Sequence, residues 1–182
     1  MTGSQISADS GDNRAPLTPE GLLNKLSQSG ADVLVHRHRA VFTVGEGMDI
    51  KETMPGAHTR NLFLKDHKGK MFLVTLRQET MVDLKKLSIV LGAGRFSFGS
   101  PERLWDHLGV LPGSVTPFAI LNDWEGAVTL VLEEEMLAEE IVNFHPLVNT
   151  MTVGLSPADL MTFLAECGKT PRVVDLTPAQ PD

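Results

Sequence analysis

Between residues 58 and 70 the chain reads HTRNLFLKDHKGK, which places Arg60, Lys65, Lys68 and Lys70 within eleven residues against the single acid Asp66. Such a cluster suits phosphate oxygens, with arginine offering a forked pair of hydrogen bonds and lysine a point charge. The same residues would equally serve as a solvated hairpin, because charge runs usually sit on exposed surface. A second polar group, Asn143, His145 and Asn149, surrounds a turn pinned by Pro146. These side chains either converge on a ligand or satisfy the turn's own backbone, and the local sequence leaves both open.

Other reactive residue types do not assemble into a recognisable set. His36 and His38 share one face of a short strand, but no further His or Cys is spaced to complete a metal shell, so no metal is expected. The segment GAGRFSFG follows a helix rather than a strand and lacks the third glycine of a dinucleotide loop, so it reads as a glycine turn. Cys167 continues an apolar stripe with Leu160 and Leu164, the pattern of a small core residue rather than a nucleophile. Ser97 and Ser114 have no His and Asp partners that spacing can certify, so a serine triad is unsupported.

The elements that must position these residues follow from composition and periodicity. With 182 residues and 42% hydrophobic content, the chain is expected to form a single domain over 17–176. The polar stretches 1–16 and 177–182 are expected to be flexible tails. Sixteen Lys and Arg against 23 Asp and Glu give a formal charge of −7, which argues against indiscriminate nucleic-acid binding and DNA in particular. Five glutamates crowd positions 133–140, so charge is segregated along the chain. No run approaches eighteen apolar residues, no secretory signal is evident and there is one cysteine, which together predict a cytoplasmic protein with no membrane partner.

Thr18 and Pro19 open a helix that Gly30 stops, and ADVLVHRH alternates as a strand. Thr43 and Glu46 have capping-box spacing, predicting a helix to about Met54. NLFLKD and MFLVTL form a β-hairpin across Gly69, and DLKKLSIVLG forms an amphipathic helix ending at Gly92. RFSFG is strand-like, and Ser100 caps a helix to Leu108. TPFAILND and GAVTLVLE read as a second hairpin, IVNF and MTVGL as strands around HPLVN. Ser156 caps the last helix and RVVDL is the last strand. Helices alternate irregularly with hairpins, so the expected class is α+β, a mixed, largely antiparallel sheet with surrounding helices.

Four ordered blocks, TRNLFLKDHKG, DLKKLSIVLGAGRFSFG, LGVLPGSVTPFAILND and NFHPLVNTMTVGLS, resemble the prolyl-tRNA synthetase-associated, YbaK-like editing domains, and specifically their free-standing Ala-tRNA(Pro) deacylase branch. The resemblance runs from about Pro19 to Leu176. It implies hydrolysis of the ester joining alanine to the terminal adenosine of tRNA(Pro), without cofactor, with the tRNA acceptor end as partner and prolyl-tRNA synthetase as a second candidate. Gly113, Ser114, Val115, Thr116 and Pro117 match the family's G-x-x-x-P loop, implied to hold the aminoacyl ester. Asn61 and Lys65 match its K-N-L-F-L-K-D block, and His145 and Asn149 its later turn. Arg60 stands where that block usually has lysine, which preserves a phosphate clamp but not proton transfer.

By this resemblance Asn61, Gly113 and His145 are the expected catalytic residues, and Arg60, Lys65, Ser114 to Pro117 and Asn149 the expected substrate-binding ones. Met54, Val44 and Phe63 are placed by position as pocket lining. Two other readings stay open: a deacylase for another small aminoacyl group (Ser or Cys), and a non-catalytic tRNA- or synthetase-binding module.

Overall fold

The computed structural model describes residues 15–40 and 52–182. Helix α1 (Pro19–Gln28) is capped by the Thr18 hydroxyl accepting from the Gly21 N–H. Strand β1 (Leu34–Arg37) follows, then the long β2 (Ala57–Asp66) and β3 (Met71–Arg77), joined where Gly69 takes a φ of 88°. Helix α2 (Leu84–Leu91) starts at Asp83 and ends at left-handed Gly92; β4 (Phe96–Phe98) and α3 (Pro101–Leu108) come next. The remaining elements are β5 (Val128–Glu133), β6 (Val142–Phe144), β7 (Met151–Leu155), α4 (Pro157–Glu166) and β8 (Arg172–Val174). The predicted helix from Thr43 lies outside the described residues except at its end, where Thr53 sits in a turn.

The eight strands form one mixed sheet in the order β1-β7-β6-β2-β3-β5-β8, with β4 also on β2. The expected α+β architecture is correct; β2 pairs antiparallel with β3 and β4, and parallel with β6. Side chains alternate along β2 and β3, so Phe63 and Leu73 enter one core while Leu64, Phe72, Val74 and Leu76 enter another. Helices α1, α3 and α4 bury Leu22, Leu104 and Leu160 in the first core; α2 buries Leu87 and Leu91 in the second.

One edge of β2 is filled by β3 from Thr59 to Lys65. Among the described residues the other edge meets β6 only at Ala57 and His58 and β4 only from Leu64 onward, with the Gly99 N–H also reaching the Phe63 carbonyl at 2.8 Å. Between them, at residues 59–62, the sheet opens among the described residues.

The segment 117–122 corrects the sequence reading. It is a 3₁₀-helix, Pro117–Asn122, and not the first strand of a second hairpin. Pro117 supplies a helical φ, and Asn122 secures the far end by accepting from the Leu17 N–H and donating to the Leu108 carbonyl, both at 2.8 Å. Strand β5 instead lies parallel between β3 and β8. The C-terminal residues also differ from the expected loose tail: Ala179 is buried in the second core next to Leu176, and its carbonyl accepts from the Asp83 N–H at 2.8 Å. One apolar anchor and one backbone hydrogen bond hold the start of the polar stretch.

The hairpin turn carries a pH-dependent lock. Buried Asp66 accepts from the N–H groups of Lys68 and Lys70 at 2.9 Å and of Gly94 at 3.2 Å. Burial opposes its charge, but these donors and nearby His67 outweigh it and hold the carboxyl below its usual pKa. Its stabilisation is therefore complete above the unfolded value, roughly pH 4, and lost as pH falls through the lower folded value. Asp66→Asn is expected to lower Tm at neutral pH by an amount that shrinks under acid conditions. Paired thermal melts across pH check this, and a pH-independent gap would contradict it.

Candidate active site

Asn61 projects from β2 on the first-core face, opposite Thr75 of β3. Its amide nitrogen donates to the Val115 carbonyl at 2.9 Å, and its oxygen accepts the Thr75 hydroxyl at 2.7 Å. One side chain thus fastens the Gly113–Pro117 turn to the centre of the sheet, across 54 positions of sequence. The turn begins at Gly113 with a φ of 90°, a region that a side chain would enter only with strain. Ser114 is buried and its N–H bonds the Leu111 carbonyl at 3.0 Å. Thr116 is fully buried, and its hydroxyl has no hydrogen-bond partner among the described residues. That exception has a cost, since a buried unpaired hydroxyl typically loses about 1–3 kcal/mol.

The His145 turn is brought to the same region by packing. Phe118, one residue beyond Pro117, meets Phe144 edge-on at 5.7 Å, and Leu147 enters the same core. Thr59 adds a hydrogen bond from its hydroxyl to the Asn143 carbonyl at 2.7 Å. Segments 59–61, 113–118 and 143–147 are therefore tied pairwise around the opening in the sheet. Leu147 has a φ of 65°, a left-handed conformation that costs a non-glycine residue on the order of 1–3 kcal/mol and is held by the buried side chain. Asn149 lies half-buried in this turn.

His145 Nδ1 lies 2.9 Å from the Met151 carbonyl. A carbonyl can only accept, so Nδ1 carries the proton and, in the neutral ring, Nε2 is the accepting nitrogen. His38 is oriented similarly, with Nδ1 2.7 Å from the Arg39 carbonyl and Nε2 2.9 Å from the Thr152 hydroxyl. The two rings stand 6.2 Å apart. Among the described residues no group of three or more His, Cys, Asp or Glu is placed to hold a metal.

Arg60 is not brought to Asn61. Adjacent residues of a strand face opposite ways, and Arg60 turns to the second face, where Nη2 donates to the Thr80 carbonyl at 2.5 Å while Nε is buried without a partner among the described residues. Thr80 in turn donates its hydroxyl to buried Glu133 at 2.6 Å, and the other Glu133 oxygen accepts the Arg77 N–H at 2.6 Å. Arg77 is ringed by Glu79, Glu133, Glu135 and Glu139. Sequence reasoning missed Thr75, Thr80 and Glu133. The available signal was Glu133's register, two positions after inward Val131 in a strand of period two.

Lys65 shares the Asn61 face but sits four residues along β2, roughly 13 Å away at about 3.3 Å per residue. Of the proposed lining residues, Met54 is buried, Phe63 packs in the first core where a side chain at Gly99 would strike its ring, and Val44 lies outside the described residues. Burial pushes the half-buried Cys167 thiol above its usual pKa, which keeps it protonated and unreactive. An open groove of about 590 Å³ lined by Leu17, Lys25, Leu121, Trp124 and Cys167 contains none of the site residues. No helix among the described residues is long and apolar enough to cross a membrane.

Comparison with known proteins bears on this arrangement. The pattern of the aminoacyl-tRNA editing domain matches residues 38–163. The chain is 40% identical over 139 residues to prolyl-tRNA synthetase associated domain-containing protein 1 of Danio rerio, covering 75% of this chain and 76% of the relative. It is 31% identical over 158 residues to the prolyl-tRNA editing protein ProX of Acetoanaerobium sticklandii, covering 86% and 96%. Among solved structures, a candidate trans-editing enzyme for prolyl tRNA synthetase superposes with a TM-score of 0.65 at 19% identity, covering 86% of this chain and 94% of that one. At that identity the structural likeness speaks for the fold alone.

Proposed function

Because the chain belongs to the YbaK-like aminoacyl-tRNA editing domain family, we propose that it is a trans-editing deacylase that hydrolyses the ester of Ala-tRNA(Pro). The observation that carries the reading is the bond between Asn61 and the Val115 carbonyl, which joins the K-N-L-F-L-K-D-like strand to the G-x-x-x-P-like turn. Asn61 then acts as a positioning residue rather than a direct ligand of the ester, since its amide is engaged with Val115 and Thr75. The Gly113–Pro117 backbone and the Thr116 hydroxyl receive the aminoacyl group, with His145 Nε2 accepting a hydrogen bond from the water or ribose hydroxyl. An aminoacyl ester is labile, so positioning and stabilisation of the developing oxyanion, each worth about two or three powers of ten, suffice without a strong base.

Selectivity follows from size. A synthetase site distinguishes a substrate from one smaller by a methylene by only about 1–3 kcal/mol, whereas a second, smaller pocket excludes proline sterically. Lys65 supplies phosphate contacts from the hairpin, whereas Arg60, tied to the Thr80 carbonyl on the second face of the sheet, braces the strand that carries Asn61.

The test is ester loss from Ala-tRNA(Pro), Pro-tRNA(Pro) and Ser- or Cys-charged tRNA with purified protein. Loss of alanine alone supports the proposal; loss of serine or cysteine instead assigns another small aminoacyl substrate. Binding without hydrolysis assigns a non-catalytic module. Thr116→Val offers a separate check: removing an unpaired buried hydroxyl is expected to leave stability unchanged or raise it by about 1 kcal/mol while slowing ester hydrolysis. A stability loss comparable to that of a broken hydrogen bond, with full activity, would place the hydroxyl's role in the fold.

A further inference from the structure

A second imidazole, His38, packs beside His145, with ring centroids 6.2 Å apart and planes inclined at 52°. It comes from the end of β1, the first strand of the sheet order, where the His38 N–H bonds the Thr150 carbonyl at 3.0 Å. The backbone is thus held independently of the side chain. The ring makes two bonds of its own, Nδ1 lying 2.7 Å from the Arg39 carbonyl and Nε2 2.9 Å from the Thr152 hydroxyl. A carbonyl only accepts, so Nδ1 carries the proton and, in the neutral ring, Nε2 accepts from Thr152. Thr152 is buried, so its hydroxyl needs that acceptor.

Met151 and Thr152, successive residues of β7, therefore each hold one imidazole: the Met151 carbonyl takes the His145 Nδ1–H, and the Thr152 hydroxyl donates to His38. Side chains fixed by hydrogen bonds and by mutual packing keep one geometry. A His145 ring free to turn away from the Met151 carbonyl could carry its proton on Nε2 instead, and that form offers no acceptor there. We infer that His38 is a positioning residue: its ring, fixed by Thr152, holds the His145 imidazole in one orientation and in the Nδ1–H form, which keeps Nε2 accepting. The inference rests on the editing function proposed above. His38 acts through His145 and not on the ester.

The test joins kinetics to nitrogen NMR of the histidine rings. His38→Ala is expected to lower kcat about tenfold with KM nearly unchanged, less than the roughly two powers of ten that a full 1 Å misplacement costs. His38→Gln, whose side-chain oxygen can accept from the Thr152 hydroxyl, is expected to recover most of that loss. In a His145→Asn background His38→Ala should add nothing, because the residue it positions is gone; losses that multiply overturn the inference. The ring spectra at alkaline pH should show wild-type His145 protonated at Nδ1 and, in His38→Ala, a mixture with the Nε2–H form. An unchanged His145 signal in folded His38→Ala protein overturns the inference whatever the kinetics. Should that variant melt early, Thr152→Val, which removes only the donor to His38, is read by the same spectra against the same two outcomes. Failure of the editing reading appears separately, as intact Ala-tRNA(Pro) after incubation with wild-type protein, and the ring spectra then still decide whether His38 fixes His145.

Discussion

Asn61→Ala is expected to reduce kcat for ester hydrolysis about a hundredfold, with a smaller change in KM. The substitution leaves the Val115 carbonyl without its donor and the buried Thr75 hydroxyl without its acceptor. Each unpaired buried group costs about 1–3 kcal/mol, and the turn relaxes to reduce that cost. A displacement near 1 Å is enough to cost roughly two powers of ten when catalysis depends on orientation. Asn61→Asp should do no better, because a carboxylate keeps the acceptor for Thr75 but faces the Val115 carbonyl with an oxygen. Thr75→Val separates the two contacts: it removes only the hydroxyl side and should retain most activity. Single-turnover rates for the three variants check the order. Full activity in Asn61→Ala would show that the turn does not need this anchor.

His145→Ala is expected to slow turnover about a hundredfold with KM nearly unchanged, in the range usual for loss of a group that handles a proton or orients a water. The difficulty is that His145 also holds the turn through Nδ1 and the Met151 carbonyl. His145→Asn resolves it, since an asparagine amide can occupy the Nδ1 position and donate to the same carbonyl but offers nothing at Nε2. A His145→Asn protein with wild-type Tm and the same loss of turnover assigns the function to Nε2. Recovery of activity in that variant would make His145 a turn-holder and leave the chemistry to the Gly113–Pro117 backbone and the substrate's own ribose hydroxyl.

The residues of this site were legible in the sequence by type more than by role. Periodicity and capping residues identify β2, β3 and the four α-helices of the described residues because each carries a local signal: alternation, Gly69 at the hairpin turn, or a Thr, Asp or Ser cap. The run from Pro117 to Asn122 opens with the same Thr–Pro pair as the first helix, but Thr116 makes no capping hydrogen bond. Its first five residues are all apolar, and an apolar run that short does not distinguish a strand from a short helix. Asn61 was conspicuous as a polar residue in a buried strand, but its partner is a backbone carbonyl, which has no letter in the sequence. The resemblance to the family's K-N-L-F-L-K-D block put Arg60 and Asn61 in one site, whereas a strand separates neighbours to opposite faces. Glu133 was hidden among five glutamates, and only its strand register distinguishes the buried one from the rest.

The central claim is that Asn61, through the Gly113–Pro117 turn, and His145 serve one hollow at the opening in the sheet. A double-mutant cycle of Asn61→Ala and His145→Ala, read as single-turnover hydrolysis of Ala-tRNA(Pro), tests it most directly. Residues serving one site act as a unit, so the double variant should be little slower than the slower single variant. Rate losses that multiply would mean that the two segments work independently, and the site assembled here would not exist.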